Sequence, residues 1–239
     1  MKIIEGNLFS SQCQTLVNTI NCAGIMGAGI ALEFKFRYPE MFEKYVELCD
    51  QQSIDIGKLW LYKSATNKWV LNFPTKKHWK LPSKIDYLKK GLTKFIHTYQ
   101  NKGITSIAFP VLGASQGGID ESVSIGLMQT HLKECTIPVE IYQYSPTATD
   151  DLYLKFREMF NDNDDKYLSD QIKLKINLIQ KIRAGINKPK INSISQLASV
   201  KGIGVVSLEK SFRYLMDKPD NESNNEQQSL FLEFDSDSG

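Results

Sequence analysis

Two glycine-rich segments of this sequence contain residues suited to binding a ligand. The first, residues 18–31, carries Gly24, Gly27 and Gly29 after a strand-like run and ahead of a helix-like one. Glycines let the main chain approach a ligand closely, and the free amides at a helix start attract anions. The segment therefore predicts either a phosphate-binding loop or a plain tight turn, and it lacks both the P-loop and the Rossmann spacing.

The second segment favours the phosphate-binding interpretation. Residues 109–120 again leave a strand and enter a helix, and they contain Gly113, Gly117 and Gly118. Because loops that follow parallel strands meet at one edge of the sheet, the two segments could flank one crevice. Such a crevice would suit a ligand with two phosphates between two sugars.

A basic segment, residues 76–80, contains Lys76, Lys77, His78, Trp79 and Lys80. Lysine has an ordinary pKa of about 10.4, so it is a nucleophile at neutral pH only where burial or a nearby cation, here Lys77, lowers that pKa. Without such a role, a basic loop is solvated or contacts a polyanion. Trp79 either stacks on an unpaired nucleic-acid base, with Lys77 beside it, or packs at the base of the loop.

The elements that position these segments follow from hydrophobic periodicity. Alternating strands and helices predict an α/β fold of three layers, α/β/α, with a mixed, largely parallel sheet covered on both faces. Gly91 lies inside one predicted helix, where glycine is unfavourable. The predicted strands are residues 2–4, 15–19, 59–62, 69–73, 106–110 and 139–144, and the predicted helices are 29–36, 41–49, 83–100, 121–134 and 152–160.

Several motifs together resemble the macrodomain family, an ADP-ribose-binding fold. The resemblance covers about residues 1–146 and rests on the stretches 5–8, 17–21, 24–31 and 110–120. Residues 72–79 are most similar to the branch that contains the terminal ADP-ribose glycohydrolase and the antitoxin DarG, which removes ADP-ribose from DNA bases. The resemblance implies a macrodomain over residues 1–160.

The resemblance also implies roles for individual residues. Lys76 matches the branch's catalytic lysine and Asp120 an acid that assists it, although an aspartate at a helix start is also a good N-cap. Asn7 stands where the family has aspartate, so its adenine contact lacks a charge. Tyr144 is either an adenine neighbour or a core or rim tyrosine. The implied ligand-binding residues are Asn7, Leu8, Asn21, Gly24, Met26, Gly27, Gly29, Ile30, Thr75, Gly113, Ala114, Ser115, Gln116, Gly117, Gly118 and Tyr144.

The C-terminal third differs in charge from the rest. After a polar break at 161–165, residues 166–190 carry seven basic residues against one acid and predict a basic helix within a helical region, 166–216. Residues 193–212 resemble a helix-hairpin-helix motif, whose turn at Lys201, Gly202 and Gly204 would contact DNA phosphates irrespective of base sequence. A plain helix pair packed on the macrodomain explains the same apolar spacing.

The last stretch, residues 217–239, carries seven acids against one lysine and is too polar to order itself, so we predict a flexible acidic tail. Within it, Gln227, Leu230 and Phe231 resemble the short peptide with which bacterial polymerases and repair proteins bind the sliding clamp. The alternative is a short strand against the chain's own domain.

Composition excludes other classes. No apolar run approaches the roughly 20 residues of a membrane span, and the N-terminus lacks signal-peptide features, so we expect a cytoplasmic protein with no membrane partner. The four cysteines, Cys13, Cys22, Cys49 and Cys135, lack metal-ligand spacing and predict reduced, mostly buried thiols. Neither a metal nor a cofactor is expected.

Together, the residues and the resemblance predict an ADP-ribosyl glycohydrolase that uses Lys76 to release ADP-ribose from a macromolecule, with DNA as the favoured acceptor. A toxin ADP-ribosyltransferase, DNA and the sliding clamp are the implied partners. The alternative is a non-catalytic module that binds ADP-ribose and recruits replication or repair partners.

Overall fold

The computed structural model describes residues 1–64, 68–148 and 150–217. In this part of the chain six strands form one sheet in the order β1-β6-β5-β2-β4-β3, and all neighbours are parallel except β3 with β4. The predicted mixed, largely parallel sheet is confirmed. The strands are β1 (Lys2–Gly6), β2 (Thr15–Asn21), β3 (Trp60–Lys63), β4 (Trp69–Lys76), β5 (Ile107–Pro110) and β6 (Val139–Tyr144).

Helices cover both faces of this sheet. Within the described ranges they are α1 (Gly29–Arg37), α2 (Pro39–Asp50), α3 (Ile85–Thr98), α4 (Glu121–Leu132), α5 (Asp151–Asp162), α6 (Asp165–Ile172), α7 (Ile176–Ile186), α8 (Ile194–Ala198) and α9 (Val205–Asp217). Leu92 of α3 and Met128 of α4 share one core with the sheet, whereas Phe34 of α1 and Tyr45 of α2 share another. The three-layer α/β/α prediction is therefore correct.

Close packing explains the glycine inside α3. A Cβ atom on Gly91 would lie 2.2 Å from Cζ of the buried Phe73 on β4. The loss of helix propensity at Gly91 is therefore the consequence of fitting the helix directly against an aromatic ring of the sheet.

The C-terminal helices share a third core with α1. Phe212 of α9 stacks on Phe36 of α1 and on Phe156 of α5, with ring centroids 4.8 and 4.2 Å apart. The single basic helix predicted over residues 166–190 is wrong, because Lys173 has a positive φ of 57° and separates α6 from α7. The separation of 1–160 from 166–216 stays a prediction, and α5 packs in the same core as the later helices.

Polar contacts also join α1 to the C-terminal helices. The Ser195 hydroxyl at the start of α8 donates to the Glu33 carboxylate at 2.5 Å. Arg37 at the end of α1 donates to Asp150 and Asp151, at 3.0 and 2.7 Å. These contacts fix α1, which begins at the first glycine-rich segment, against the C-terminal helices.

Glu33 makes this contact sensitive to pH. Its side chain is 7% exposed, and burial raises the pKa of Glu33 to about 7. The unfolded chain releases this proton near the ordinary glutamate pKa of 4.5. Between pH 4.5 and about 7 the folded state therefore binds one more proton than the unfolded state, so the free energy of unfolding falls as the pH rises through this range. We expect Glu33→Gln to raise the free energy of unfolding by on the order of 2 kcal/mol at pH 8 and by less at pH 5.

Urea denaturation at both pH values checks this expectation. The matched control is Glu134→Gln, which removes an exposed carboxylate and should change the stability little at either pH. Equal effects of Glu33→Gln at pH 5 and pH 8 would contradict the assignment.

The four cysteines are free thiols, as expected, although Cys13 is buried and the other three are only half-buried. Among the residues described, no helix is both long and apolar enough to cross a membrane.

Candidate functional site

The carboxyl ends of β2, β4 and β5 lie at one edge of the sheet and lead into the segments singled out above. β2 enters loop 1, defined here as residues 22–29, and β5 enters loop 2, residues 111–118. Asn21 and Lys76 are register partners on β2 and β4, and the Cys22 amide donates to the Lys76 carbonyl at 3.0 Å. The backbone pairing therefore places Lys76 beside the start of loop 1.

The two loops contact each other next to this lysine. A Cβ atom on Gly29, which has a φ of +56°, would lie 3.6 Å from Cγ of Gln116 in loop 2. The Lys76 ammonium donates to the main-chain carbonyl of Gln116. Loop 1, loop 2 and the end of β4 thus converge at one point.

The start of α1 at this point is suited to binding an anion. Its N-cap residue, Ala28, supplies no side-chain hydrogen bond, and the first turn contains no acid. The first amides of a helix have no partner within it, and they add to the positive end of the helix dipole. This end of α1 therefore keeps donors for a negatively charged group.

Asn21 holds loop 1 in shape. Its side-chain oxygen accepts from the Ala23 amide at 2.9 Å, and its side-chain nitrogen donates to the Ile25 carbonyl at 2.5 Å. The Tyr45 hydroxyl on α2 donates to the Asn21 carbonyl at 2.7 Å. The buried Asn21 is thus part of the loop's framework, and its implied position against a ribose stays a prediction. Tyr45 could not be singled out from sequence, because it is one of several residues on the buried face of α2.

Ser83 packs against loop 2 and hydrogen-bonds to it. Its amide donates to the Gly117 carbonyl at 2.9 Å, and a Cβ atom on Gly117 would lie 2.6 Å from the Ser83 hydroxyl oxygen. Only glycine permits this approach. Ser115 in the same loop has a φ of +47°, a backbone conformation that non-glycine residues rarely adopt and that clusters at functional sites.

Lys76 and Lys77 differ in their surroundings. Partial burial lowers the pKa of Lys76. Lys77 instead forms an ion pair with the Asp55 carboxylate, and that hydrogen bond raises the pKa of Lys77. The prediction that Lys77 lowers the pKa of Lys76 is therefore wrong. Burial of Lys76 lowers its pKa, and the charge of Lys77 is paired with the Asp55 carboxylate.

Asp120 is the N-cap of α4. One of its carboxylate oxygens accepts from the Ser122 and Val123 amides at 2.9 and 3.2 Å. The hydrogen bond from the Ser122 side chain is the main cause that lowers the pKa of Asp120. The capping interpretation is confirmed by these contacts, whereas assistance to Lys76 stays a prediction.

The implied adenine neighbours lie together at the rim of the same edge. Gly6 and Tyr144 are register partners at the ends of β1 and β6, so the following Asn7 is next to Tyr144. Tyr144 is 57% exposed, which makes it a rim residue. The Asn7 side-chain oxygen accepts from the Phe9 amide at 3.0 Å.

Other predicted residues divide by burial. Leu8, Met26 and Thr75 are buried as whole residues, so their contact with a ligand stays a prediction. Gly24, Gly27, Gly29 and Ile30 belong to loop 1 or the start of α1, and Gly113, Ala114, Ser115, Gln116, Gly117 and Gly118 belong to loop 2.

Trp79 lies on the surface beyond Lys76. It is 47% exposed, its ring stacks on His78 with centroids 5.7 Å apart, and the Lys80 ammonium lies 4.9 Å from its centroid. The alternative of a tryptophan packed at the loop base is wrong. Contact with a nucleic-acid base stays a prediction, as does a DNA contact of Lys77.

The remaining predicted site residues lie elsewhere. Lys201, Gly202 and Gly204 are exposed in the turn between α8 and α9. Gln227, Leu230 and Phe231, with the rest of the acidic tail, fall outside the described residues. Within the described ranges no group of three or more His, Cys, Asp or Glu side chains could hold a metal ion.

Comparison with known proteins identifies the class. The family model of the Macro domain matches residues 17–128. The solved macrodomain of Mycobacterium tuberculosis DarG matches with a TM-score of 0.58 and 38% identity, over 60% of this chain and 97% of that one. The chain therefore belongs to the macrodomain family, as the motifs predicted.

Within that family the chain is similar to enzymes of the DarG branch. The DNA ADP-ribosyl glycohydrolase of M. tuberculosis is 45% identical over 119 residues, which are 48% of this chain and 34% of that protein. The Thermus aquaticus protein of the same name is 36% identical over 149 residues, 61% of this chain and 41% of that protein. A Thermosipho africanus DNA ADP-ribosyl transferase-DNA ADP-ribosyl glycohydrolase fusion protein is 33% identical over 160 residues, 59% of this chain and 41% of that protein. The chain thus spans between 34% and 41% of the length of these relatives.

Proposed function

We propose that this chain is an ADP-ribosyl glycohydrolase that releases ADP-ribose from DNA. The observation that carries the proposal is the convergence of Lys76, Gln116 of loop 2 and the uncapped start of α1 at Gly29. The names of the M. tuberculosis and T. aquaticus relatives support it, and the Macro domain match over residues 17–128 contains all three residues.

Binding would use the two loops. The amides at the start of α1 and the main chain of loop 2 face the point where they meet, and both can donate to the diphosphate. Asn7 and Tyr144 at the rim would take the adenine end, because they lie past the same strand ends. This orientation leaves the distal ribose on the side of Lys76.

Cleavage would use the Lys76 amine as the nucleophile. The neutral amine attacks the anomeric carbon, the glycosidic C–N bond breaks, and the base departs with the bonding electron pair and takes up a proton; water then releases the sugar from the amine. In the free protein the Lys76 ammonium donates to the Gln116 carbonyl, and it must lose a proton before its nitrogen lone pair can attack. Partial burial, which lowers the pKa of Lys76, favours the neutral form.

The surface beyond Lys76 suits a nucleic-acid acceptor. Trp79 offers an exposed aromatic ring, and Lys80 adds a positive charge beside it. Aromatic rings stack on unpaired bases without regard to their identity. A DNA ADP-ribosyltransferase would supply such a substrate, and the fusion protein of T. africanus joins the two named activities in one chain.

The test compares two substrates side by side. ADP-ribosylated single-stranded DNA and an ADP-ribosylated protein are incubated with the full chain, and released ADP-ribose is measured by chromatography. We expect release from the DNA and little from the protein. Tight calorimetric binding of ADP-ribose without release from either substrate would leave a non-catalytic reader as the function.

A further inference from the structure

The surface around the α8–α9 turn has a one-sided charge. Between Asp170 and Glu209 the sequence contains no acid, yet it holds six lysines besides Arg183. These lysines, Lys173, Lys175, Lys181, Lys188, Lys190 and Lys201, are all exposed. Arg183 differs, because it is half-buried and bonded to Asp165 at 2.8 Å.

Packing brings lysines from two parts of this stretch to one place. A Cβ atom on Gly202 would lie 3.7 to 4.0 Å from the last three side-chain atoms of Lys181, so the Lys181 side chain lies along the turn that also holds Lys201. Gly185 of α7 permits this arrangement, since a Cβ atom there would lie 2.6 Å from Ile203 in the turn. Lys188 lies two residues beyond the end of α7 and is also exposed.

We call this surface the hairpin face (Lys181, Lys188, Lys201 and the turn at Gly202), and no ion pair within the described part of the chain neutralises its positive charge. Throughout the described ranges none of these three lysines forms an ion pair with a carboxylate, whereas Lys35 and Arg213 nearby pair with Glu209 and Glu43. Uncompensated like charges raise the local potential and attract a polyanion. The turn adds a main chain exposed at Gly202 and Gly204, which a phosphate can approach closely.

We propose that the hairpin face binds the phosphate backbone of nucleic acid without base specificity. A nucleic acid fits this face better than an anionic lipid surface does. The apolar residues Leu197 of α8 and Ile203 of the turn are buried in the core, so they cannot insert into a bilayer. The placement also fits the candidate site, since α8 contacts α1 through Ser195 and Glu33, four residues from Gly29. A nucleic acid held on this face would stay near loop 1.

The test uses the full chain and unmodified DNA, so it does not depend on the proposed hydrolase activity. Fluorescence anisotropy measures the binding of a labelled 20-mer, single-stranded and duplex, from 50 to 300 mM NaCl. The variant Lys181→Gln/Lys188→Gln/Lys201→Gln removes three charges from the hairpin face. The matched control, Lys89→Gln/Lys94→Gln/Lys133→Gln, removes three exposed charges from α3 and the end of α4.

We expect the hairpin variant to bind at least tenfold more weakly at 100 mM NaCl, and its slope of log K against log salt to fall by roughly 2 to 3, because each lost phosphate contact removes about 0.9. The control variant should keep the affinity and slope of the parent chain. Equal losses in both variants, an unchanged hairpin variant with a normal melting temperature, or preferred binding to phosphatidylserine vesicles would each overturn the proposal.

Discussion

Replacing Lys76 by alanine is expected to lower the rate of ADP-ribose release from DNA roughly a thousandfold while leaving ADP-ribose affinity within a few-fold of the parent chain. The lysine is at the end of β4, whereas the amides offered to the diphosphate belong to α1 and loop 2. Removing the amine therefore removes the nucleophile and leaves the anion-binding groups in place. Single-turnover kinetics and calorimetry measure the two quantities separately.

The matched variant Lys76→Arg separates nucleophilic action from charge. Arginine keeps a cation that can donate to the Gln116 carbonyl, but it stays protonated at every accessible pH. We expect Lys76→Arg to be as inactive as Lys76→Ala. The parent rate should rise with pH until Lys76 is neutral, with a midpoint below the ordinary lysine value because burial lowers the pKa. Substantial activity of the arginine variant would show that Lys76 acts only through its charge.

Hydrophobic pattern alone predicted most of the fold. The six strands and the first five helices match in order, and their ends differ by a few residues. The prediction failed at residues 166–190, because their shared positive charge suggested one helix although the chain breaks into two at Lys173. Sequence pattern also treated Gly91 as unfavourable for a helix. The reason for glycine there is a clash with Phe73, which lies on a strand eighteen residues earlier in the sequence, so it is visible only in the folded structure.

Sequence alone predicted only those residues of the candidate site whose chemistry follows from their residue type. Glycines at strand ends and a lysine in a basic loop marked the point where loop 1, loop 2 and Lys76 meet. The supports of that point, Tyr45 and Ser83, were not predicted, since their role depends on tertiary contacts with Asn21 and Gly117. The ion pair of Lys77 was missed for the same reason: Asp55 is 22 residues away along the chain.

The largest stability effect is expected at the junction of α1 with the C-terminal helices. Asp150 is 2% exposed, and its carboxylate accepts from Arg37 at 3.0 Å, from the Tyr153 amide at 3.1 Å and from the Ile194 amide at 3.3 Å. Replacing Asp150 by alanine leaves a largely buried guanidinium and two amides without this partner. We expect the free energy of unfolding to fall by about 3 to 5 kcal/mol, measured by urea denaturation.

Asp151 provides the matched control, because it is the adjacent residue and also pairs with Arg37, at 2.7 Å. Its side chain is 68% exposed, so water replaces it as a partner, and Asp151→Ala should lower the free energy of unfolding by no more than about 1 kcal/mol. Both variants should unfold in one transition, since Phe36 of α1 and Phe212 of α9 belong to one core. The contrary result would be an early transition of the C-terminal helices in Asp150→Ala, with the macrodomain unfolding at its original urea concentration. It would show that these helices are an independent unit and that their packing on α1 does not stabilise the segment leading to loop 1.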